Sequence, residues 1–404
     1  MTTRAAPKSK DLSRQEPLDF SLVQGGPLFQ LLRRARLSDD ALMLLTKRVL
    51  VISLFIWLPL LMLSALEGHL RGGDMAVPFL RDIDVHIRFL VVVPLLIGAE
   101  LVVHQRMRPV AQSFIDRKLI PGSARVRFEA IVASAFRLRN SVLAEVLLIA
   151  FVYTVGVMIV WRHYGAIDTA SWYATPAPGG ARLSFAGLWL GYVSLPIFQF
   201  LLCRWYFRLF IWARFLWQVS RIELNLIPTH PDRVAGLGFL SNAVYAFAVL
   251  AAAHGAMLAG LLANRIFYLK ASLPDFKVEI MVVLVFVLCL ALGPLFVFLP
   301  QLAQSKRNGQ REYGALAERY VLEFDTKWLR GGAPADEPLV GSADIQSLAD
   351  MGNSFEVIRT MRVVPLARQD IVRVVVATLL PIVPLALTMM PFEDLVKKLI
   401  GIIV

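Results

Sequence analysis

The segment Asn225–Leu240, NLIPTHPDRVAGLGFL, decides how this chain is organised, because it cannot continue the helices on either side of it. Pro228 and Pro231 each lack a backbone N–H and would clash with the preceding helical turn. Strongly apolar, helix-like sequence flanks the segment on both sides. We therefore predict a shaped, non-helical junction at a membrane surface, from which the chain enters its fifth span.

The composition of the chain is that of an integral membrane protein. Of 404 residues, 57% are hydrophobic and 18% are charged, and the mean hydropathy is +0.62. Soluble domains are about half apolar and about a quarter charged. The first forty residues are polar and charged, so we expect no cleavable signal peptide and an uncleaved first anchor.

The apolar residues occur in runs of the length that a membrane span needs, which is about 20 residues. They predict an all-α fold, a polytopic helical membrane bundle of about seven spans with cytoplasmic amphipathic helices. The runs cover residues 49–66, 89–104, 141–161, 184–203, 240–263, 280–301 and 371–390. The second run is short. The last run contains Pro381 and Pro384, so the segment 371–404 is either a span or a re-entrant segment followed by a tail.

The basic residues are distributed unevenly between the two sides of this arrangement. Segments 1–48, 105–140, 204–239 and 302–370 carry 31 Lys and Arg residues, whereas the opposite loops carry 10. Positive residues are retained in the cytoplasm, so we predict a cytoplasmic amino terminus. The net charge of +12 is then explained by anionic lipid at the cytoplasmic face, and we predict no nucleic-acid partner.

Several segments outside the spans have helical patterns. Residues 1–48 form a basic amino-terminal segment, in which Leu28–Leu37 reads as an amphipathic surface helix and Ser38 and Asp39 as N-caps of the next helix. After Cys203, arginines and tryptophans alternate in a helix suited to the cytoplasmic interface. The segment 302–370 predicts further cytoplasmic helices, with Gly352 ending one of them and an apolar stripe along 345–361.

Two acidic residues lie inside the predicted spans, and such residues are functional candidates by default. Glu100 and Glu145 each lie about one turn from the cytoplasmic end of a span, so we expect them at similar depth. They could form a cation or proton site. The alternative is that each pairs with His104, Arg106 or Arg139 near the interface.

Other polar or helix-breaking residues in the spans give weaker indications. His254 is a candidate for an ion or proton pathway, or else forms a hydrogen bond across a helix interface beside the small residues Ala252, Ala256 and Gly260. Gln199 and Asn264 are further polar residues in or beside spans. Prolines interrupt several spans, and broken helices often line transport paths. They are Pro59, Pro94, Pro196, Pro294, Pro381 and Pro384.

The junction offers His230, Asp232 and Arg233 as candidate residues lining a cytoplasmic vestibule. Alternatively, Asp232 caps the next helix or pairs with Arg233. Two ligands are fewer than the three or four that a metal site needs, and the chain lacks nucleotide-binding, zinc-protease and serine-hydrolase motifs. We therefore predict no catalytic residue, no metal and no cofactor.

Two motifs, PTHPDRVAGLGFL at 228–240 and GSADIQSLADMGNSFEVIRTMRVVP at 341–365, resemble those of an uncharacterised group of bacterial multi-pass inner-membrane proteins. The resemblance covers most of the chain from Glu223 onward. It implies a location in the bacterial inner membrane, and it implies no mechanism and no functional residues.

Three functions are compatible with these features. The leading hypothesis is a homo-oligomeric channel or transporter for a small ion or solute, based on Glu100, Glu145 and His254 and on the proline-broken spans. The second is a structural or signalling component that binds a partner protein through its cytoplasmic helices. The third is a membrane enzyme acting on lipid, based on the basic inner face and the cluster at His230.

Overall fold

The computed structural model of the protein describes residues 20–34, 44–71, 75–161, 171–177 and 180–389. The described chain is almost entirely helical, which confirms the all-α membrane bundle. Within these residues, six helices are long and apolar enough to cross a membrane, and a helix pair bent by 46° can supply a seventh. The chain is therefore a multi-pass membrane protein.

The elements are numbered here in chain order. The helices are α1 (Pro27–Arg34), α2 (Leu45–Leu66), α3 (Ile83–Asp116), α4 (Gly122–Arg139), α5 (Val142–Met158), α6 (Phe185–Val219), α7 (Leu237–Leu269), α8 (Leu273–Leu329), α9 (Ala343–Arg359) and α10 (Arg368–Thr388). The strands β1 (Ala174–Ala177) and β2 (Gly180–Leu183) form an antiparallel hairpin between α5 and α6.

Helix α7 lies at the centre of the bundle. Its apolar stretch is 72% buried, against 17–44% for the other five long spans. Small residues permit this packing. A Cβ atom at Gly255 would collide with the backbone carbonyl of Thr378 in α10, and one at Gly260 would lie 3.2 Å from the Cα atom of Asp84 in α3. Helix α7 therefore contacts α3 and α10 through glycines.

Two helices extend beyond the runs that the hydropathy pattern predicts. Helix α3 begins at Ile83, so the short run 89–104 is the middle of a longer helix that includes Asp84 and Arg88. Helix α6 continues to Val219, and the segment rich in arginine and tryptophan is the end of a span. Hydropathy misses these extensions because charged residues lower the average even where they are buried and paired.

Four stretches of the described helices are π-helical. They are Arg88–Val92 in α3, Val152–Trp161, which continues α5 beyond Met158, Leu190–Ser194 in α6 and Asp325–Leu329 at the end of α8. The first and third are each followed two residues later by a proline, Pro94 or Pro196. A proline has no backbone N–H to donate, and its ring crowds the carbonyl four residues before it, so a wider turn relieves the clash. We have no equivalent account of Val152–Trp161.

We call the end of the bundle that carries Asn225–Leu240 the basic face, and the opposite end the hairpin face. On the basic face, α9 packs along α8 and buries Ile358 and Met361. The prediction that Gly352 ends a helix is wrong, because α9 runs through it from Ala343 to Arg359. The buried residues of the apolar stripe, Ile358 and Met361, both follow Gly352, whereas Ile345 is 49% exposed. Before Gly352, α9 is held by a polar contact, in which the Tyr320 hydroxyl of α8 donates to the carbonyl of Asp344 at 3.1 Å.

Some sequence predictions fall on residues that the structure does not describe. Ser38 and Asp39, proposed as N-caps, lie outside the described ranges, as do residues 1–19 of the amino-terminal segment and residues 390–404 of the tail. The predicted surface helix Leu28–Leu37 corresponds in part to α1, which is described from Pro27 to Arg34.

Candidate functional site

A partly open cavity of about 230 Å³ lies near the hairpin face, between α3, α5, α6 and α7. Its charged lining residues are Asp82, Asp84 and Arg88, and Gln199 and Asn264 add side-chain amides. Three of the four π-helical stretches contribute to its wall, through Arg88, Gly156 and Gly191. Irregular helical turns are frequent at functional sites, and three of them lie together at this cavity.

Asp82 is fixed by hydrogen bonds from three elements. It caps α3 by accepting from the backbone N–H of Val85 at 3.2 Å, and it accepts from Trp172 Nε1 and Asn264 Nδ2, both at 2.8 Å. Asn264 in turn accepts from the N–H of Ile83 at 2.9 Å. An aspartate at an N-cap satisfies a free helical donor. The carboxylate therefore holds the amino-terminal end of α3 against α7 and the segment before β1.

Asp84 and Arg88 lie one turn apart on α3 and form an ion pair of 2.5 Å. The guanidinium of Arg88 also lies over the ring of Phe198, 5.5 Å from its centroid, a favourable position for a cation. Arg88 neutralises one of the two carboxylates. The charged groups lining the cavity, Asp82, Asp84 and Arg88, therefore sum to one negative charge.

Gln199 supplies an unused polar atom at the cavity. Its Oε1 is buried and has no hydrogen-bond partner among the described residues. The side chain lies directly over Gly156, where a Cβ atom would collide with it. An unpaired buried amide oxygen costs about 1–3 kcal/mol. A ligand that donates a hydrogen bond, or that carries positive charge, would recover this cost.

A second charged site, which we call the ion cluster, lies near the basic face and joins α2, α3, α5 and α6. Glu100 contacts Arg48 at 2.5 Å, Arg208 at 2.8 Å and Arg204 at 3.4 Å. Arg204 also lies 3.5 Å from Glu145. All five side chains are at most 10% exposed, so the ion pairs are shielded from solvent.

The ion cluster holds more positive than negative charge, because three arginines face two glutamates. Two donor atoms, Arg48 Nε and Arg208 Nη2, are buried and unpartnered within the described chain. Buried ion pairs stabilise a fold only when their remaining hydrogen-bonding atoms are also satisfied. The excess charge and the two unpaired donors indicate that this cluster suits an anion better than a cation.

The structure brings Glu100 and Glu145 together through Arg204, their shared partner. Glu145 also accepts from the backbone N–H of Leu28 at the start of α1, at 2.8 Å. The arginines that contact the two carboxylates come from α2 and α6, and not from the positions 106 and 139 that the sequence suggested. A role of Glu100 and Glu145 in an ion or proton pathway stays a prediction.

His254 lies on α7 away from both charged sites. Its Nδ1 is 2.7 Å from the carbonyl oxygen of Leu250, which can only accept, so this nitrogen carries the proton. Its Nε2 then accepts from the hydroxyl of Tyr206 in α6, at 2.9 Å. Both ring nitrogens are therefore engaged, and the ring connects α7 to α6. A role in proton transfer stays a prediction.

The junction residues form a compact turn on the basic face. Burial raises the pKa of Asp232, but backbone N–H groups of Val234, Gly238 and Gly236 lower it more, so the pKa lies below its usual value. His230 Nδ1 lies 2.9 Å from the same carboxylate. This supports the alternative in which Asp232 caps the turn before α7.

The backbone of Arg233 in the same turn receives a different contact. Its carbonyl oxygen accepts from the N–H of Arg362 at 2.8 Å, and the Arg362 side chain donates to the carbonyl of Asp232 at 3.1 Å. The junction is thereby bound to the segment between α9 and α10. Its role as a vestibule for a substrate stays a prediction.

Sequence reasoning identified Gln199 and Asn264 but missed Asp82, Asp84 and Arg88. The available signal was the segment RDIDVHIR at 81–88, which places two acids and two arginines directly before a run too short to span a membrane. Among the residues that the structure describes, no group of three histidine, cysteine or acidic side chains is placed to hold a metal.

Comparisons with protein-family models, with curated proteins and with solved structures find no match to this chain. The resemblance to bacterial inner-membrane proteins therefore stays a prediction. A function has to be inferred from the two charged sites themselves.

Proposed function

We propose that the protein is a transporter that moves a small monovalent cation, or a small solute bearing an ammonium group, across the membrane. The cavity at the hairpin face is its binding site. One observation carries the proposal, namely a partly open cavity of about 230 Å³ between the spans whose lining carries net negative charge. Charged residues within spans are costly and mark ion or substrate sites.

The charges favour a cation over an anion at this cavity. Asp84 is compensated by Arg88, whereas Asp82 receives only neutral donors from the described residues. A positively charged ligand would balance Asp82, and the free oxygen of Gln199 would accept a hydrogen bond from it or coordinate it. The volume admits a partly hydrated metal cation or a small organic amine.

The position of the cavity favours a transporter over an open pore. From Arg88 to Glu100, helix α3 rises about 18 Å, and every residue between them is apolar, glycine or proline. A charged solute cannot cross such a segment without a rearrangement of the helices. The π-helical turns at Arg88–Val92 and Leu190–Ser194 are places where α3 and α6 can change register at low cost. The predicted association into a homo-oligomer remains part of this proposal.

The proposal is tested by uptake into liposomes that contain the purified protein. An inside-negative potential drives uptake, and the probes are ²²Na⁺, ⁸⁶Rb⁺ and ¹⁴C-methylammonium, compared with protein-free liposomes. We expect uptake of at least one probe, and we expect Asp84→Asn to reduce it. The matched control is Glu279→Gln, because Glu279 is 44% exposed near the same face and does not line the cavity.

Folding of each variant is checked by its elution as a single species in detergent. If Asp84→Asn does not fold, Gln199→Leu takes its place, since it removes an unpaired atom. Uptake that the cavity variant reduces and Glu279→Gln leaves unchanged supports the proposal. Absence of uptake for all three cations, or equal uptake by parent and cavity variant, contradicts it.

A further inference from the structure

A second cavity, of about 400 Å³, forms a groove between α2 and α6 on the side of the bundle that faces lipid. Its walls are aliphatic and aromatic, with Val51 and Phe55 from α2 and Ile197 and Leu201 from α6. At one end its lining includes three charged residues of the ion cluster, Arg48, Glu100 and Arg204. The surface of the groove is therefore almost entirely apolar, with buried charged groups at one end.

The two helices align the groove with the direction in which they cross the membrane. In α2, Arg48 lies in the first turn and Phe55 lies seven residues deeper. In α6, which runs the opposite way, Arg204 and Ile197 are also seven residues apart. Seven helical residues rise about 10 Å. The charged end consequently lies towards the basic face, and the apolar end points into the hydrocarbon region.

The charged end of the groove carries an excess of positive charge. Arg48 is 2% exposed, lines the groove and has a buried Nε with no partner among the described residues. It belongs to the ion cluster, where three arginines face two glutamates. Arg48 pairs with Glu100 at 2.5 Å, but the cluster as a whole keeps one excess positive charge. Burying an uncompensated charge is expensive, and an anionic group at the mouth of the groove would reduce this cost.

We propose that this groove binds one acyl chain of an anionic membrane phospholipid, whose phosphate lies at the charged end of the groove, beside Arg48 and Arg204. A phospholipid supplies a negative group and a hydrocarbon chain in one molecule and in the orientation that the groove has. A peptide would leave backbone N–H and C=O groups unpaired against these apolar walls. The bound lipid connects α2 with α6 and acts as a structural element of the ion cluster, independently of transport at the other face.

Native mass spectrometry of the full chain, delipidated in detergent, tests this proposal. The probes are phosphatidylglycerol and phosphatidylcholine with identical acyl chains. We expect one phosphatidylglycerol per chain to be retained about thirtyfold more tightly than phosphatidylcholine, since each of the two arginines near the anionic headgroup contributes about 1 kcal/mol. Equal retention of the two lipids by the parent protein would overturn the proposal.

Two variants distinguish lipid binding in the groove from lipid binding at the surrounding surface. Val51→Trp fills the groove without touching a charge, and we expect about a tenfold loss of phosphatidylglycerol binding. The control is Leu54→Trp, on the same helix at 45% exposure but outside the groove. If Val51→Trp does not fold, Ile197→Trp fills the groove from the opposite wall. Binding that is unchanged in the groove-filling variant, or reduced equally in the control, contradicts the proposal.

Discussion

Substituting Glu100 or Glu145 with glutamine should have very different effects, although the sequence makes the two residues look equivalent. Glu100 contacts three arginines, at 2.5, 2.8 and 3.4 Å. Glu145 contacts Arg204 at 3.5 Å and a backbone N–H at 2.8 Å. Glutamine at 145 keeps an oxygen that can accept from that N–H, whereas glutamine at 100 removes the principal counter-charge of the ion cluster.

The magnitudes follow from the charges that remain buried. In the parent, three arginines face two glutamates, and in Glu100→Gln they face one, so the excess rises from one positive charge to two. Removing one partner of a buried ion pair costs about 3–5 kcal/mol. Glu145→Gln raises the excess by the same one charge, but it loses a single ion pair of 3.5 Å where Glu100→Gln loses three shorter ones, and it keeps its hydrogen bond. We therefore expect it to cost only about 1 kcal/mol. Adding Arg48→Gln to Glu100→Gln returns the excess to one, and should recover about 0.5–3 kcal/mol.

The free energy of unfolding is measured in mixed micelles of dodecyl maltoside and sodium dodecyl sulfate, followed by tryptophan fluorescence. The four proteins form a double-mutant cycle for Glu100 and Arg48, with Glu145→Gln as the comparison. Either of two results would refute the reasoning. The first is equal destabilisation by Glu100→Gln and Glu145→Gln. The second is a double variant whose loss in free energy of unfolding exceeds the sum of the losses in the two single variants.

Three further predictions concern other parts of the bundle. Gln199→Leu removes an unpaired buried oxygen, so it should leave the free energy of unfolding unchanged or raise it by about 1 kcal/mol while lowering cation uptake; a loss of stability would contradict this. The depressed pKa of Asp232 contributes stability at pH values above its unfolded pKa of about 3.9, and this stability is lost as the pH falls through the lower folded pKa. Asp232→Asn should therefore flatten the acid limb of stability against pH, and an unchanged acid limb would refute that role. Gly255→Ala should destabilise by about 1–3 kcal/mol because its Cβ meets the Thr378 carbonyl. Gly98→Ala, which meets nothing within 4 Å, should be neutral or stabilising; equal effects of the two substitutions would count against close packing of α7 on α10.

The helical bundle itself could be predicted from hydropathy, because the membrane requires long apolar helices. The hydropathy pattern did not predict where α3 begins and where α6 ends. Arg204 and Arg208 lie within α6 and are buried against Glu100 from α3. Their partner is about 100 residues away in the sequence, so periodicity along one helix could only place them at an interface.

The candidate site was partly predictable. Pro94 and Pro196 pointed to irregular helices, and these prolines follow two of the three π-helical stretches at the cavity. Asp84 and Arg88 were missed because the averaged hydropathy begins its span at Phe89. The cavity also needs Gly156 and Gln199 from two other helices, and only the folded structure brings these together.

The net charge of the hairpin-face cavity is the central element of the account, and a series of charge variants tests it most directly. The charged residues that line the cavity sum to one negative charge in the parent, to zero in Asp84→Asn and to two negative charges in Arg88→Gln. In the double variant they sum to one negative charge again. The apparent affinity for the transported cation is measured by uptake into liposomes at increasing concentration. We predict the weakest affinity for Asp84→Asn, near-parental affinity for the double variant and the tightest for Arg88→Gln. Cation binding in this cavity would be contradicted if the double variant bound the cation no more tightly than Asp84→Asn, or if the affinities did not follow the net charge of the lining.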